Sequence, residues 1–541
     1  MYLFENPVLQ RELVTNLRMT RAFLLLFLYL GLLGVVVVLA WPQERQLDLT
    51  TNPEASRRLV NLVFVGQYLL ASLMAPSFAA GAITGEKERK SYEMLLASPL
   101  MPGAIVLGKL LASLAHLLLL IVASLPIVML CLPLGGVSLY EVLAMYMGLV
   151  LSVITFGMIS LWASSYFRRT SASLVVAYLI ILPLSLAAVA LWMAFEGQGQ
   201  VRLLLSVIVA PLACLLICAV LFRNITARLL HPPDVGSEGK EVVDLETEAQ
   251  EAVGLVIQSD QFPDWLFAPK KRTDLLPDGA SPVFDKEMRS EIFSQGTLML
   301  RVVIQVSMLL AIPLMAGFLY IWPFLAPWYI SYVLLFNMLV GPVFSAGSVT
   351  SERERETLDL LLTTILSPGQ ILWPKLLSGL RVSSVLTMFL MWPVVLAVVM
   401  VSVYWANLPV VFGYFAVVLM TCATTATVAL FCSVLLRKTS ISLMTTYLAI
   451  ILLFTLPLAL AYFTNTFFPS TRAAYWIEIL SFPSPFAVAF RLPVDARLVE
   501  ITSQPPDWWF FGAYLAFYFV FNGALLATMA WLFNVRWRMD Y

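Results

Sequence analysis

The chain has 541 residues, 60% of them apolar, with 33 Lys+Arg against 33 Asp+Glu and a formal net charge of zero. Charged residues make up 12%, about half the share of a soluble domain. No basic excess exists to engage a polyanion, so a nucleic-acid partner is excluded. The apolar residues stand in unbroken blocks, without the alternation of an outer-membrane barrel, and describe an all-α polytopic membrane protein.

In chain order, Arg11, Glu12, Arg18 and Arg21 precede a first apolar block, 22–41. At about 20 residues it is long enough to span a bilayer and too long for a signal peptide. Twelve spans are expected: 22–41, 59–82, 107–132, 139–166, 172–195 and 202–222, then 298–321, 327–349, 376–404, 408–435, 441–463 and 509–533. An even number puts both termini on one side. With the termini inside, inner segments hold 26 of the 33 Lys+Arg, and Arg45, Arg57, Arg58, Arg202, Arg472, Arg491 and Arg497 lie outside. That asymmetry places both termini in the cytoplasm. The five cysteines (Cys131, Cys214, Cys218, Cys422, Cys432) fall inside apolar blocks. They show neither metal-ligand spacing nor a disulfide framework, and they read as packing residues.

The two sets of six spans are copies. Asn6-Pro7-Val8 with Glu12 returns as Ser281-Pro282-Val283 with Glu287. Residues 84–111 align without gaps on 350–377, identical at 13 of 28 positions. Arg168, Thr170, Ser171, Ser173, Leu174, Tyr178 and Leu179 return as Arg437, Thr439, Ser440, Ser442, Leu443, Tyr447 and Leu448. Six spans per copy make the repeats parallel. The expected domains are therefore 1–230, an acidic Pro-containing linker at 231–280, and 281–541. The outside loop 464–508 is long in the second copy only. Its Trp476, Pro483, Pro485, Phe486 and Phe490 are expected to fold it against the bundle or the outer leaflet.

The segments 84–104 and 350–370 lie between the second and third spans of each copy. Each is expected to form an amphipathic cytoplasmic helix followed by a Pro-Gly turn. Thr84 and Thr350 are placed to cap these helices. Met94, Leu95 and Leu96, matched by Leu360, Leu361 and Leu362, are expected to face the bundle or the membrane surface. Glu86, Glu88, Arg89 and Glu93, matched by Glu352, Glu354, Arg355 and Asp359, are expected to face the cytosol or a partner. A loop that only orients the chain needs basic residues, not repeated glutamates.

The N-P-V-x-x-R-E-L opening at 6–13, the E-x-E-R…L-L…P…I-x-x-G-K-L-L segment at 86–111 and S-P-F at 484–486 resemble ABC-2-type transporter permeases. The resemblance runs through both copies and omits the linker. It implies a fold like the ABC-2, type V exporter-like membrane domain, fused twice in one chain. It implies coupling helices at 84–104 and 350–370. Amphipathic connecting helices are implied at about 6–20 and 282–296, carrying Arg11, Glu12, Lys286 and Glu287. It further implies an exporter that is not itself an enzyme and binds no cofactor. ATP and magnesium would belong to cytoplasmic ABC ATPase subunits, in two copies, beneath a bacterial inner membrane. Two positions depart from the pattern: Pro374 replaces Gly108, and Ser281 replaces Asn6.

Other features carry less. Gly103–Lys109 spells G-x-x-x-x-G-K, but Leu110 replaces the Ser/Thr of a phosphate loop and no strand precedes it. Lys109 and Lys375 are instead expected to snorkel to the inner headgroups. His116, lone within the third span, reads as a hydrogen-bonded packing residue. Thr421, Thr424 and Thr425 suit close helix packing, with a translocation path as the alternative. The rival architectures are a twelve-span secondary transporter, which needs ionisable residues at mid-membrane, and a membrane anchor for a cytoplasmic assembly.

Overall fold

The computed structural model describes residues 6–17, 26–27, 29–31, 33–35, 37–38, 53–88, 91–129, 138–167, 170–194, 201, 204–230, 281–289, 319–354, 356–364, 366–468, 471–494 and 505–538. Regular structure among them is entirely helical. The chain divides into two compact units, Met1–Val242 and Val243–Tyr541. Ten described helices are long and apolar enough to cross a membrane, and they coincide with ten of the twelve expected spans. The expected span 22–41 is described at half of its positions and 298–321 only at 319–321, and the linker 231–280 lies outside the described residues.

The first unit contains α1 (Pro7–Leu17), α2 (Pro53–Ala79), α3 (Gly81–Glu88), α4 (Tyr92–Leu96), α5 (Pro102–Met129), α6 (Leu139–Tyr166), α7 (Thr170–Ala194) and α8 (Ala210–Leu230), the last entered through a π turn at Leu205–Val209. The second repeats the order: α9 (Pro282–Arg289), α10 (Ala326–Ser345), α11 (Thr350–Glu354), α12 (Leu358–Leu362), α13 (Pro368–Met400), α14 (Leu408–Leu435) and α15 (Thr439–Ile450). After it come α16 (Leu456–Phe467), α17 (Arg472–Ile479), α18 (Pro485–Arg491) and α19 (Trp508–Arg538).

Packing repeats pair by pair. In the first unit α6 is the hub, against α2, α5, α7 and α8. In the second α14 takes the same place against α10, α13, α15 and α19. The outermost helices α8 and α19 carry exposed apolar side chains, among them Leu212, Leu215, Leu216, Phe519, Val520 and Trp531. An apolar helix with such a face is lipid-facing. One tyrosine bond recurs: Tyr178 donates to the Leu73 carbonyl at 2.7 Å, and Tyr447 to the Leu339 carbonyl at 2.6 Å.

Two expectations about element ends are corrected. The Pro-Gly pairs do not make a turn after a helix; they open the third span of each unit. Proline suits the first helical turn, where its missing N–H costs nothing. Before Pro368, Ser367 and Gln370 form a reciprocal cap. Thr84 and Thr350 are not caps either. Each hydroxyl bonds back to the carbonyl four residues earlier, Ala80 or Ala346. Helical continuity fails just upstream, at Ala80 and at 346–349, which leaves backbone N–H groups to be satisfied. Ser164 at the end of α6 accepts from Ile83 and Thr84 N–H at 3.1 and 2.9 Å. Ser433 at the end of α14 accepts from Val349 and Thr350 N–H, both at 3.0 Å.

The described part of the long loop of the second unit folds back onto its bundle, one of the two expected outcomes. The short helix α18 packs on α10, α14 and α19. Tyr414 and Tyr518 donate to the Leu492 and Pro483 carbonyls, both at 2.5 Å. Arg491 bridges Glu478 at 2.6 Å and Asp507 at 3.3 Å.

Each of Ser164 and Ser433 serves two buried N–H groups. Replacing either with alanine is expected to destabilise the purified protein by about 1–3 kcal/mol, read as a lower thermal midpoint in detergent. Ser165→Ala is the control, because the Ser165 hydroxyl bonds only within its own turn, to Trp162; its midpoint is expected to stay put.

Candidate functional site

At the end of each bundle where the second span meets the third, three charged groups converge. Lys109, about two turns into α5, is buried with its side chain 2% exposed. Its ammonium donates to Glu12 of α1 at 3.0 Å and to Glu86 of α3 at 3.2 Å. In the second unit Lys375 of α13, 1% exposed, donates to Glu287 of α9 at 2.5 Å and lies 3.6 Å from Glu352 of α11. Lys375 also donates to the Ser348 carbonyl at 2.8 Å. Lys286 of α9 pairs with Glu352 from the solvent side at 2.8 Å. The second oxygen of each carboxylate takes a hydroxyl at an aligned position, Ser91 on Glu86 and Thr357 on Glu352.

Lys109 and Lys375 therefore do not snorkel. A lysine that close to the apolar core, with carboxylates on two neighbouring segments, does better by pairing inward. Glu86 and Glu352 correspondingly turn into the protein, not out to the cytosol. Burial alone would raise the Glu352 carboxyl, but hydrogen bonds from Lys286 and Thr357 and the charge of Lys375 prevail and hold its pKa at about 2. A depressed carboxylate stabilises the fold above its ordinary pKa and loses that contribution as pH falls through the folded value. The second clamp is thus intact at neutral pH.

Three further ties repeat. Lys87 donates to the carbonyls of Ser164, Ser165 and Phe167 at 3.2, 2.7 and 2.9 Å. Arg353 donates to those of Leu436 and Val434 at 2.6 and 3.1 Å. These carbonyls end α6 and α14 and have no partner further along the helix. Glu88 accepts from the Thr170 N–H and hydroxyl, both at 2.8 Å, at the start of α7. Glu354 accepts from the Thr439 N–H at 2.9 Å and from its hydroxyl, at the start of α15. Each charged segment is thus fastened to the connecting helix and to the ends of the third, fourth and fifth spans.

The short helices α4 and α12 project from these clamps. Leu361 and Leu362 pack on the apolar cluster of α13 and α14, as expected. Met94 and Leu360, at aligned positions, instead point outward, 77% and 69% exposed. Glu93 is exposed beside Met94, and Arg11 is exposed on α1. Arg89, Arg355 and the side chain of Asp359 lie outside the described residues.

The two departures from the repeat are one exchange. Asn6 caps α1 through the Val8 N–H at 3.1 Å and donates to the Ala104 carbonyl at 2.6 Å. It lies so close to Gly108 that a Cβ there would stand 2.8 Å from its Nδ2. Ser281 caps α9 in its place, accepting from the Phe284 N–H. Ser281 is shorter than Asn6 where Pro374 is bulkier than Gly108, so the two exchanges are opposite in size.

The threonines of α14 hold helices together. Thr421, Thr424 and Thr425 are buried. Thr421 meets the Tyr514 hydroxyl at 3.1 Å, and Thr424 accepts from Asn522 at 3.0 Å. Thr425 donates to Asn337, whose amide nitrogen reaches Ser383, Thr387 and Cys422. At the same offsets the first unit has Ala71, Leu117, Ile121, Val153 and Phe156, all buried. His116 packs edge-on against Phe78, but its Nε2 is buried without a hydrogen-bond partner, contrary to expectation. Lys109 sits in the continuous helix α5, so the glycine-lysine string 103–109 forms no phosphate loop. Among the described residues no His/Cys/Asp/Glu group could hold a metal.

Sequence spacing located these segments but not the clamps. The usable signal was the lysine that recurs at 109 and 375 in step with glutamates at 12/287 and 86/352. The recurring basic residue at 87/353 pointed the same way.

A duplicated all-helical membrane bundle, with each interspan segment clamped to a preceding short helix, is the build of a transporter's membrane subunit. The family described as "ABC-2 family transporter protein" matches residues 8–209 and 215–493, and the chain belongs to that family. No curated relative and no solved structure matches it. The chain is accordingly a multi-pass permease subunit of an ABC transporter, the transmembrane component and not the catalytic one.

Breaking a clamp leaves buried charge uncompensated. Glu12→Gln together with Glu86→Gln, which strands the buried Lys109 ammonium, is expected to cost about 3–5 kcal/mol, whereas adding Lys109→Met to the same pair restores most of it. Thermal midpoints of the purified variants test this. Gly108→Pro is expected to destabilise alone, and Asn6→Ser to relieve the part due to the clash with Asn6 but not the intrinsic cost of an interior proline, a coupling of about 0.5–3 kcal/mol in a double-mutant cycle.

Proposed function

We propose that the chain forms the translocation path of an ABC exporter in a bacterial inner membrane, with both termini and both clamps on the cytoplasmic side. Two copies of a separate ATPase subunit hydrolyse ATP with magnesium and dock on the α3–α4 and α11–α12 segments. The observation that carries this reading is the recurrence, at aligned positions, of an outward apolar residue on a rigidly fastened segment, Met94 and Leu360. A single exposed apolar residue is ordinary; its recurrence at the same position of both copies is what supports a contact with another protein.

The clamps supply the mechanical argument. A push on a slack loop would be absorbed by the loop. Here the segment is ion-paired to the connecting helix and the third span, and hydrogen-bonded to the fourth and fifth. Displacement by the ATPase would move these helix ends as one body, which is the rigid-body form of alternating access. The docking contact then belongs to Met94, Glu93 and Leu360. Glu86 and Glu352 serve the lever, and Glu88 and Glu354 anchor it to the fifth span.

The combined variant Met94→Ala plus Leu360→Ala is expected to weaken co-purification of the ATPase by about tenfold or more, since an interface anchor contributes on the order of 1–2 kcal/mol, with the thermal midpoint of the permease unchanged. Undiminished capture and ATPase stimulation would refute the docking assignment.

A further inference from the structure

The charged end of the first unit holds a second constellation, separate from the clamp. Arg228 lies in the last turn of α8, and its guanidinium carbon stands 3.8 Å from the centre of the Tyr166 ring. Tyr166 in turn lies 5.0 Å from the Trp162 ring. On the α4 side, the Tyr92 ring receives the Lys87 ammonium at 5.5 Å. Burial raises the Tyr92 hydroxyl, and the nearby charge of Arg228 offsets part of that rise. Arg228 thus stands over Tyr166 of α6, whose ring Trp162 backs, with its charge felt at Tyr92 of α4.

Among the described residues no carboxylate lies within ion-pair distance of Arg228, and its Nε is buried without a hydrogen-bond partner, as is Trp162 Nε1. The clamp lysines, by contrast, each have two carboxylates. The second unit does not reproduce this floor. The positions aligned with Tyr92, Trp162 and Tyr166 are Leu358, Phe431 and Leu435, and Leu358 and Phe431 belong to an apolar cluster with Leu376, Leu430 and Met529. The first unit departs from an apolar seal to hold a cation over aromatic rings.

Location selects the ligand. The outer face of α8 is lipid-facing, with Leu212, Leu215, Leu216 and Val220 exposed. Arg228 ends that helix, at the depth of the phospholipid headgroups. A guanidinium there, seated over a ring at 3.8 Å, has a planar fork of N–H groups that fits a phosphate. We propose that Arg228, floored by Tyr166 and Trp162, binds the phosphate of an anionic phospholipid headgroup. Because Tyr92 belongs to α4, an occupied site braces the segment that bears Met94.

The test uses the full chain in nanodiscs of phosphatidylcholine, with and without phosphatidylglycerol, reading the thermal midpoint and the lipid retained in native mass spectra. Phosphatidylglycerol should raise the wild-type midpoint and be retained. Arg228→Gln should weaken its retention at least about tenfold, the loss of a charge-assisted contact. Arg228→Lys, which keeps the charge without the fork, should fall between. Tyr166→Leu should weaken retention while leaving Arg228 in place, so the claim survives a poorly folding Arg228 variant. Arg223→Gln, exposed on the same helix, should behave as wild type. Equal retention by Arg228→Gln and wild type would overturn the site. Inorganic phosphate reproducing the gain in pure phosphatidylcholine would overturn the lipid as its source.

Discussion

The arrangement of each unit depends on a buried ammonium that needs two carboxylates. Lys109 and Lys375 lie where neither water nor headgroups reach them, and an uncompensated charge there would cost several kcal/mol. No single helix supplies the remedy. One glutamate comes from the helix before the first span and the other from the segment after the second, so pairing forces three parts of the chain together. The depressed pKa of Glu352 reflects how strongly the surrounding donors favour its charged form. What would otherwise be a loose hairpin becomes part of the bundle.

The hydrogen bonds around each clamp extend the same logic to the backbone. Helix ends expose carbonyls and N–H groups that a membrane-edge environment satisfies poorly. The charged segments use side chains for that purpose: Lys87 and Arg353 on carbonyls, Glu88 and Glu354 on N–H groups. Ser164 and Ser433 close the opposite gap where the second span breaks. Residues that read as surface charge in sequence are thereby structural joints.

Much of the fold was legible in the sequence because long apolar blocks leave few alternatives. Ten of the expected spans and the duplication follow from hydropathy and repeat alone. Side-chain direction within helices of five to eight residues did not. Periodicity cannot orient one or two turns, so Met94 and Leu360 read as inward and Glu86 and Glu352 as outward, the reverse of the structure. Thr84 and Thr350 misled for a related reason: threonine before glutamates is a start signal only when the preceding residues are not already helical. The lysines were misread because a long side chain near a span end usually reaches for water, and the nearness of α1 to α5 is tertiary information.

The exchange of Asn6 and Gly108 for Ser281 and Pro374 gives the two copies non-interchangeable keys. A gene that doubles itself produces halves able to swap partners, so that the leading segment of one could seat in the groove of the other. Asparagine set before proline would collide, and serine set before glycine would leave a void. Two small substitutions, opposite in size, would thus let a newly made polypeptide assemble each half from its own pieces.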